Sequence, residues 1–427
     1  MAFEACVSPG LSLSAALLAT LLLTGGARAG EIAVPAEAGA LGAALALAEP
    51  GDILRLAVGA HRGGVTVEVP GLTLAGELGA VVDGEGEGSV ITVAAADVVI
   101  RGLDIRNSGV RLNEMHAGVF IGKQGDRALV ADNHLEGNLF GVYVWGPEDA
   151  VVRGNRITGR DDLRMSERGN GVSVWNAPGS RVEGNDIRYG RDGIFTQTSR
   201  ENVFRGNRFR DLRFGVHYMY TDHSEVSDNV SLGNHVGYAL MYSTGLTVSG
   251  NLSQGDRDHG IALNYANQSV FSGNAVRAGG EKCVFIYNSN YNQFRDNWFE
   301  GCAIGIHFTA GSERNVLSGN AFVGNETQVK YVGTRYLDWS HEGRGNYWSD
   351  NPAFDLNGDG IADTPYRPND LVDQVVWTYP LAKLLLNSPA VQVVRWAQSQ
   401  FPALHPGGGV DSAPLIRPPE VPALGSG

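Results

Sequence analysis

From about Asn133 to Asn346 short apolar runs alternate with Gly/Asn corners at a nearly fixed interval. Asn133, Asn155, Asn185, Asn207, Asn229, Asn251, Asn274, Asn297 and Asn320 each follow a Gly or an Asp, in steps of 22, 30, 22, 22, 22, 23, 23 and 23 residues. A glycine ahead of an alternating strand keeps the same beat: Gly141-Val-Tyr-Val, Gly171-Val-Ser-Val, Gly193-Ile-Phe-Thr, Gly215-Val-His-Tyr, Gly237-Tyr-Ala-Leu, Gly260-Ile-Ala-Leu and Gly305-Ile-His-Phe, with Cys283 replacing it once. Periods of this length mean stacked units that cannot bury a core singly. Short period-2 runs between Gly/Asn corners predict coils of an all-β, right-handed parallel β-helix rather than a helical repeat.

The columns of this pattern assign faces. One and three residues past each marker glycine the chain is apolar (Val216/Tyr218, Tyr238/Leu240, Ile261/Leu263), and alternate strand residues share a side, here the interior. Two and four residues past it stand Tyr143/Trp145, Ser173/Trp175, Phe195/Gln197, His217/Met219, Ala239/Met241 and Phe285/Tyr287. These must face outward, and so many aromatic and Met side chains read as a contact face, with Tyr143, Trp145, Trp175, Phe195 and Tyr287 its aromatic part. The alternative is a face covered by loops or by the C-terminal segment. The corner Asn residues read as structural, a ladder of stacked amides in left-handed turns.

The flanks differ from the repeats. Residues 1–29 read as a signal peptide, with an apolar run from Leu11 to Leu23 and a small-x-small site at Ala27-Arg28-Ala29, although Glu4 replaces the usual basic start. Residues 30–110 form the N-terminal cap and first coils, with a short helix over Ala38–Ala48 ended by Pro50-Gly51. Regular coils occupy 111–345, and 346–380 closes the solenoid with an Asp-rich loop. Residues 381–402 form a partner-docking segment, helical from Ser388-Pro389 to about Gln400. The Pro/Gly-rich 403–427 reads as a disordered tail or a docking strap. Cys283 and Cys302, 19 residues apart on a coil of 22 or 23, favour a buried thiol over a disulfide.

Composition narrows the function. Glycine supplies 58 of 427 residues against 17 prolines, an excess that belongs to corners. A net charge of −13 excludes a nucleic-acid partner, which needs a basic stripe. The segment Leu11–Leu23 is too short to span a membrane, so the chain is not membrane-spanning.

Three sets of side chains could carry chemistry. Met219 and Met241 share an offset in consecutive coils, ~4.8 Å apart, with His217 two residues earlier on the same face. Thioether and imidazole are soft donors that suit Cu(I). Met115, His116 and Met165, in two insertions ahead of the outer-face strand, form an alternative copper set. Asp355, Asn357, Asp359 and Asp363, with Gly360 at the sixth position, resemble a calcium loop lacking its final bidentate acid; an Asx-turn without metal is the plainer reading. Asp222-His223, Asp258-His259 and Arg191-Asp192 share no offset, so no catalytic strip forms, and the chain reads as a non-enzyme.

Gly76-Glu-Leu-Gly-Ala-Val-Val-Asp-Gly, Gly215-Val-His-Tyr-Met-Tyr-Thr-Asp-His, Gly237-Tyr-Ala-Leu-Met-Tyr, and Gly345-Asn-Tyr-Trp-Ser-Asp through Asp363-Thr-Pro-Tyr resemble the NosD family, β-helical periplasmic maturation proteins of nitrous-oxide reductase. The likeness covers nearly the whole mature chain. It implies a periplasmic protein docked on an ABC transporter permease and ATPase. Such a protein takes copper from a membrane-anchored copper chaperone and supports assembly of the copper–sulfur centre in nitrous-oxide reductase. The coil repeats alone fit a second class, a carbohydrate-binding or polysaccharide-modifying β-helix, for which Trp145 and Trp175 are the best support.

Overall fold

The computed structural model describes residues 30–309, 311–332, 336–385, 388–401 and 408–420. The signal-peptide reading of 1–29 lies outside them.

Each coil contributes one strand to each of three parallel sheets, as in Val203–Arg205, Arg208–Arg210 and Phe214–Asp222. The sheets hold 13, 13 and 12 strands and wind as a right-handed parallel β-helix. The third sheet carries the marker glycines and the longest strands. Its inward residues Val216, Tyr218, Tyr238, Leu240, Ile261 and Leu263 are at most 1% exposed. Stacking continues between coils, with Phe271 on Phe294 at 4.5 Å and Phe322 on Trp348 at 4.4 Å. The marker glycine is set by close approach: a Cβ on Gly215 would stand 2.7 Å from the Gly237 carbonyl oxygen.

The corner asparagines form the expected ladder, with one correction. The left-handed residue is not the Asn but the Gly or Asp before it, such as Gly206 (φ 65°) or Asp228 (φ 56°). The Asn side chain is buried and bonds along the solenoid. Asn229 Nδ2 donates to the Phe204 carbonyl at 2.8 Å and to Asn251 Oδ1 at 3.0 Å, while its own Oδ1 accepts the Asn207 backbone N–H at 2.9 Å. The row continues to Asn346, where Asp411 replaces the next amide: its Oδ2 accepts from Asn346 N at 2.7 Å and Trp348 Nε1 at 2.9 Å.

For residues 408–420 that contact favours the strap over the disordered tail. There Gly409–Val410 pairs with Leu337–Asp338, Leu415 bridges Tyr347 and Ile361, and Asp411 is fully buried. Residues 408–420 are thus a docked strap; burying Asp411 and Val410 outweighs their Pro/Gly-rich setting. At the other end α1 (Ala40–Leu47) covers the first coils with Leu41 buried. The helical segment near the C-terminus is longer than expected. It starts with α2 (Leu371–Thr378), capped by a reciprocal Asp370/Asp373 box, and is followed by α3 (Pro389–Gln400), whose first turn Ser388 caps. Cys283 and Cys302 are joined in a disulfide with Cα atoms 5.6 Å apart, against the free-thiol expectation. A shift of three or four residues off register places them diagonally across one corner rather than apart.

Candidate functional site

The outer face of the third sheet is half-buried rather than solvated, and the alternation that predicts it holds. Phe120, Tyr143, Ser173, Phe195, His217, Ala239, Ala262, Phe285, His307 and Lys330 are rung partners in one column. Trp145, Trp175, Gln197, Met219, Met241, Asn264 and Tyr287 form a second, two residues further on.

Two regions differ in character. At the N-terminal end aromatic rings pack on one another: Trp145 on Trp175 at 5.7 Å, Phe120 on Tyr143 at 5.8 Å, and Phe140 edge-on to Tyr143 at 5.1 Å. The second insertion loop lays Leu163 on this cluster, and burial pushes the Tyr143 phenol up. In the centre the first column narrows to Ala239 and Ala262, both buried, a stretch of small side chains called the trough below. Val236 and Phe214 line one side and Met241 the other. Beyond the Met column, Tyr220, Tyr242 and Tyr265 stack at 5.0 and 5.2 Å, all in left-handed backbone that disfavours bulky side chains.

His217 stands at the head of the trough, one rung before Ala239. Its ring packs tilted on Phe195 and edge-on to Phe214, both at 5.0 Å. Its Nδ1 donates to Asp192 Oδ2 at 3.0 Å, and Arg213 grips the same carboxylate at 2.6 and 2.8 Å. Arg213 Nη2 lies 3.4 Å from Nδ1, but with the proton on Nδ1 the two are both donors and make no hydrogen bond. Asp192 is 1% exposed. Burial pushes its carboxyl up, but the His217 and Arg213 hydrogen bonds outweigh it and hold the group ionised below the ordinary carboxylate range. An Nδ1–H fixed in this way leaves the lone pair on Nε2, the arrangement that orients histidine ligands in metal sites. Met219 and Met241 are direct rung partners beside it. The donor set fits a soft cation: two thioethers and one oriented imidazole.

The other candidates are placed differently. His116 is engaged at both ring nitrogens inside its own loop, with Glu114 at 3.0 Å and the Arg111 backbone N–H at 3.4 Å. Met115 and Met165 sit in separate single-turn 3-10 segments, Met165 opening one and Met115 capping the other. In the Asp-rich loop, Asp355 accepts backbone N–H groups from Gly358, Asp359 and Gly360 at 2.7–3.2 Å, and these hold its carboxyl down. Asp359 accepts from Ile361 N and Asn357 Nδ2, and Asp363 from Leu356 N. The loop is stitched as an Asx-turn, and calcium gains no support from it. Among the described residues no group of three or more His, Cys, Asp or Glu is placed to hold a metal ion. Asp258 lies 3.5 Å from His235, and Asp222 accepts Thr244 N at 2.7 Å.

Sequence reasoning missed the role of Asp192. The available signal is an acid just before one marker glycine, with Arg and His flanking the next.

The family profile described as "Periplasmic copper-binding protein (NosD)" matches residues 153–353. A "Probable ABC transporter binding protein NosD" of Stutzerimonas stutzeri is 42% identical, covering 86% of this chain and 87% of its own. A protein of the same description from Pseudomonas aeruginosa is also 42% identical, covering 89% of this chain and 94% of its own. Solved structures share the fold alone. The Azotobacter vinelandii mannuronan C-5 epimerase A-module has a TM-score of 0.56 at 15% identity, covering 69% of this chain and 90% of its own. A Yersinia enterocolitica family 28 exopolygalacturonase has 0.58 at 10%, covering 71% and 77%. With identity of this level over most of its length, the chain belongs to the NosD family of periplasmic copper-binding, ABC-transporter-associated proteins.

Proposed function

We propose that this protein is a non-catalytic periplasmic accessory that receives Cu(I) on the outer face of its third sheet and passes it on for assembly of the copper–sulfur centre of nitrous-oxide reductase. The carrying observation is the buried Asp192 that orients His217 beside the paired Met219 and Met241. Copper is the cargo here, so an open three-donor set suits transfer better than a closed cage. His217 offers Nε2 and the two thioethers supply soft donors. The Met115/His116/Met165 set is weaker because its imidazole is already engaged.

The α2–α3 hairpin is the surface for the transporter permease and ATPase complex. Leu371, Val375, Leu385 and Val394 line an apolar groove of 170 Å³ and are exposed, a large unpartnered apolar area. No described helix is long and apolar enough to cross a membrane. The membrane-anchored copper chaperone and nitrous-oxide reductase meet the trough and the aromatic face around Trp145 and Trp175.

The test is a Cu(I) competition titration with a chromophoric chelator, on the wild type and on His217→Ala, Met219→Ala and Met241→Ala. Each variant is expected to lose about tenfold or more in affinity. Unchanged affinity in all three refutes the site. Binding of a uronate polymer with no copper binding favours the polysaccharide reading.

A further inference from the structure

The row of tyrosines beside the Met column has a closed end and an open one. Asn176, Thr198, Tyr220, Tyr242, Tyr265 and Asn288 stand five residues past the marker position of successive coils, all with φ between 45° and 55°. Asn tolerates that left-handed backbone, whereas a bulky ring is strained there. Three successive tyrosines thus hold a position that smaller residues fill more easily, a cost that folds keep at ligand sites. Tyr220 stacks on Tyr242 and Tyr242 on Tyr265. The Tyr265 end is closed by the edge of Tyr287 and by Asn288, whose Nδ2 donates to the Tyr265 hydroxyl at 2.9 Å. At the other end the column shrinks to Thr198, Asn176 and Gly146, and the second face of the Tyr220 ring meets a hollow of 660 Å³.

The hollow is polar around that ring. Glu148, Arg200, Asp222 and His223 line it with Asn176. Asp222 Oδ1 accepts the Thr244 N–H at 2.7 Å, which leaves Oδ2 over. Arg200 is the rung partner of Asp222, yet the two form no ion pair among the described residues, and the Glu148 carboxylate has no partner among them either. A guanidinium and two carboxylates in one hollow offer donors and acceptors together. Glu148 and Asp222 repel a simple anion, and Arg200 repels a simple cation. The mix suits a neutral ligand rich in hydroxyl groups, each of which both donates and accepts. The ring face adds an apolar platform for the C–H face of a sugar, and the volume is that of a small-ligand pocket.

We propose that Tyr220, with Glu148, Arg200 and Asp222, forms a binding site for a neutral glycan, one sugar ring lying on Tyr220 as the next rung of the tyrosine row. The sugar hydroxyls donate to Glu148 and to Asp222 Oδ2 and accept from Arg200. The hollow lies at the corner that follows the third-sheet strands. It shares no residue with His217, Met219 and Met241, so the copper reading and this one fail independently. Neither Trp145 nor Trp175 lines it, which separates it from the aromatic platform at the N-terminal end.

The experiment is a saturation-transfer NMR titration of the full chain with maltotetraose, N-acetylchitotetraose and tetragalacturonate. At least one of the two neutral probes is expected to bind saturably, and the anionic uronate to bind about tenfold more weakly or not at all. Tyr220→Asn removes the platform and places at φ 52° the residue type that Asn176 already carries in its own coil. It is expected to weaken binding about tenfold or more with the circular dichroism unchanged. Thr198→Tyr keeps Tyr220 and covers its free face, and is expected to abolish binding. Arg200→Gln is expected to weaken it about tenfold, the worth of one charge-assisted hydrogen bond. The proposal is overturned if neither neutral probe binds, if the uronate binds best, or if binding survives either Tyr220→Asn or Thr198→Tyr.

Discussion

His217 presents one nitrogen to the trough because a carboxylate from the preceding coil holds the other. Asp192→Asn keeps the size of that side chain but removes its charge and lets the ring choose either tautomer. Cu(I) affinity is expected to fall about 10- to 100-fold, the usual effect of losing a ligand's orienting partner, with the circular dichroism unchanged. Because the folded carboxyl lies below its unfolded value of about 3.9, its stabilising effect is complete above that pH. It is lost as pH falls through the folded value, and an acid titration of wild type against Asp192→Asn reads it. Met219 and Met241 were legible from a shared offset, since strand alternation projects straight onto a face. Asp192 was not, because its partner sits 25 residues on and the link is visible only once coils are in register. At the Asp355 loop spacing left two readings open, because ligand-like intervals also suit carboxylates that cap their own backbone, and the bonds seen are those of the Asx-turn.

Among the elements, the Asn ladder and the strap explain each other. The repeat predicts every rung to Asn320, but not what ends the row. Pro/Gly-rich composition conceals a docked strap because docking rests on a few buried residues, not on periodicity. Asp411 is buried, which pushes its carboxyl up, although four donated hydrogen bonds work against that. Asp411→Ala strands Asn346 N and Trp348 Nε1 and is expected to cost about 2–3 kcal/mol in urea unfolding. Asp411→Asn, which continues the amide row without a buried charge, is expected to stay within about 1 kcal/mol of wild type. The disulfide was misjudged because spacing against the coil length measures register, whereas a bridge needs only two facing Cβ atoms at a corner.

For the whole molecule, the two sites of the proposed function lie apart along the solenoid axis. The trough lies mid-sheet and the α2–α3 hairpin lies past the last coil, so each can be disabled alone. Val375→Glu with Val394→Glu places two charges in the hairpin groove. The pair is expected to abolish co-purification with the transporter permease while leaving the Cu(I) titration unchanged. Loss of both activities would mean one continuous surface. Fold class was legible across the whole molecule because repetition states the same instruction many times, whereas each docking surface is written once. The amide row also has a direction: in every amide-to-amide link the backbone N–H and one Nδ2 hydrogen point to the next coil, the other Nδ2 hydrogen returning to a carbonyl of the coil before, so the links align and their donor end emerges at Asn346. A carboxylate sits on that end as an acid sits at the start of a helix. It closes the stack to further growth, so that removing residues 408–420 would leave a bare template on which a second molecule could continue the winding end to end.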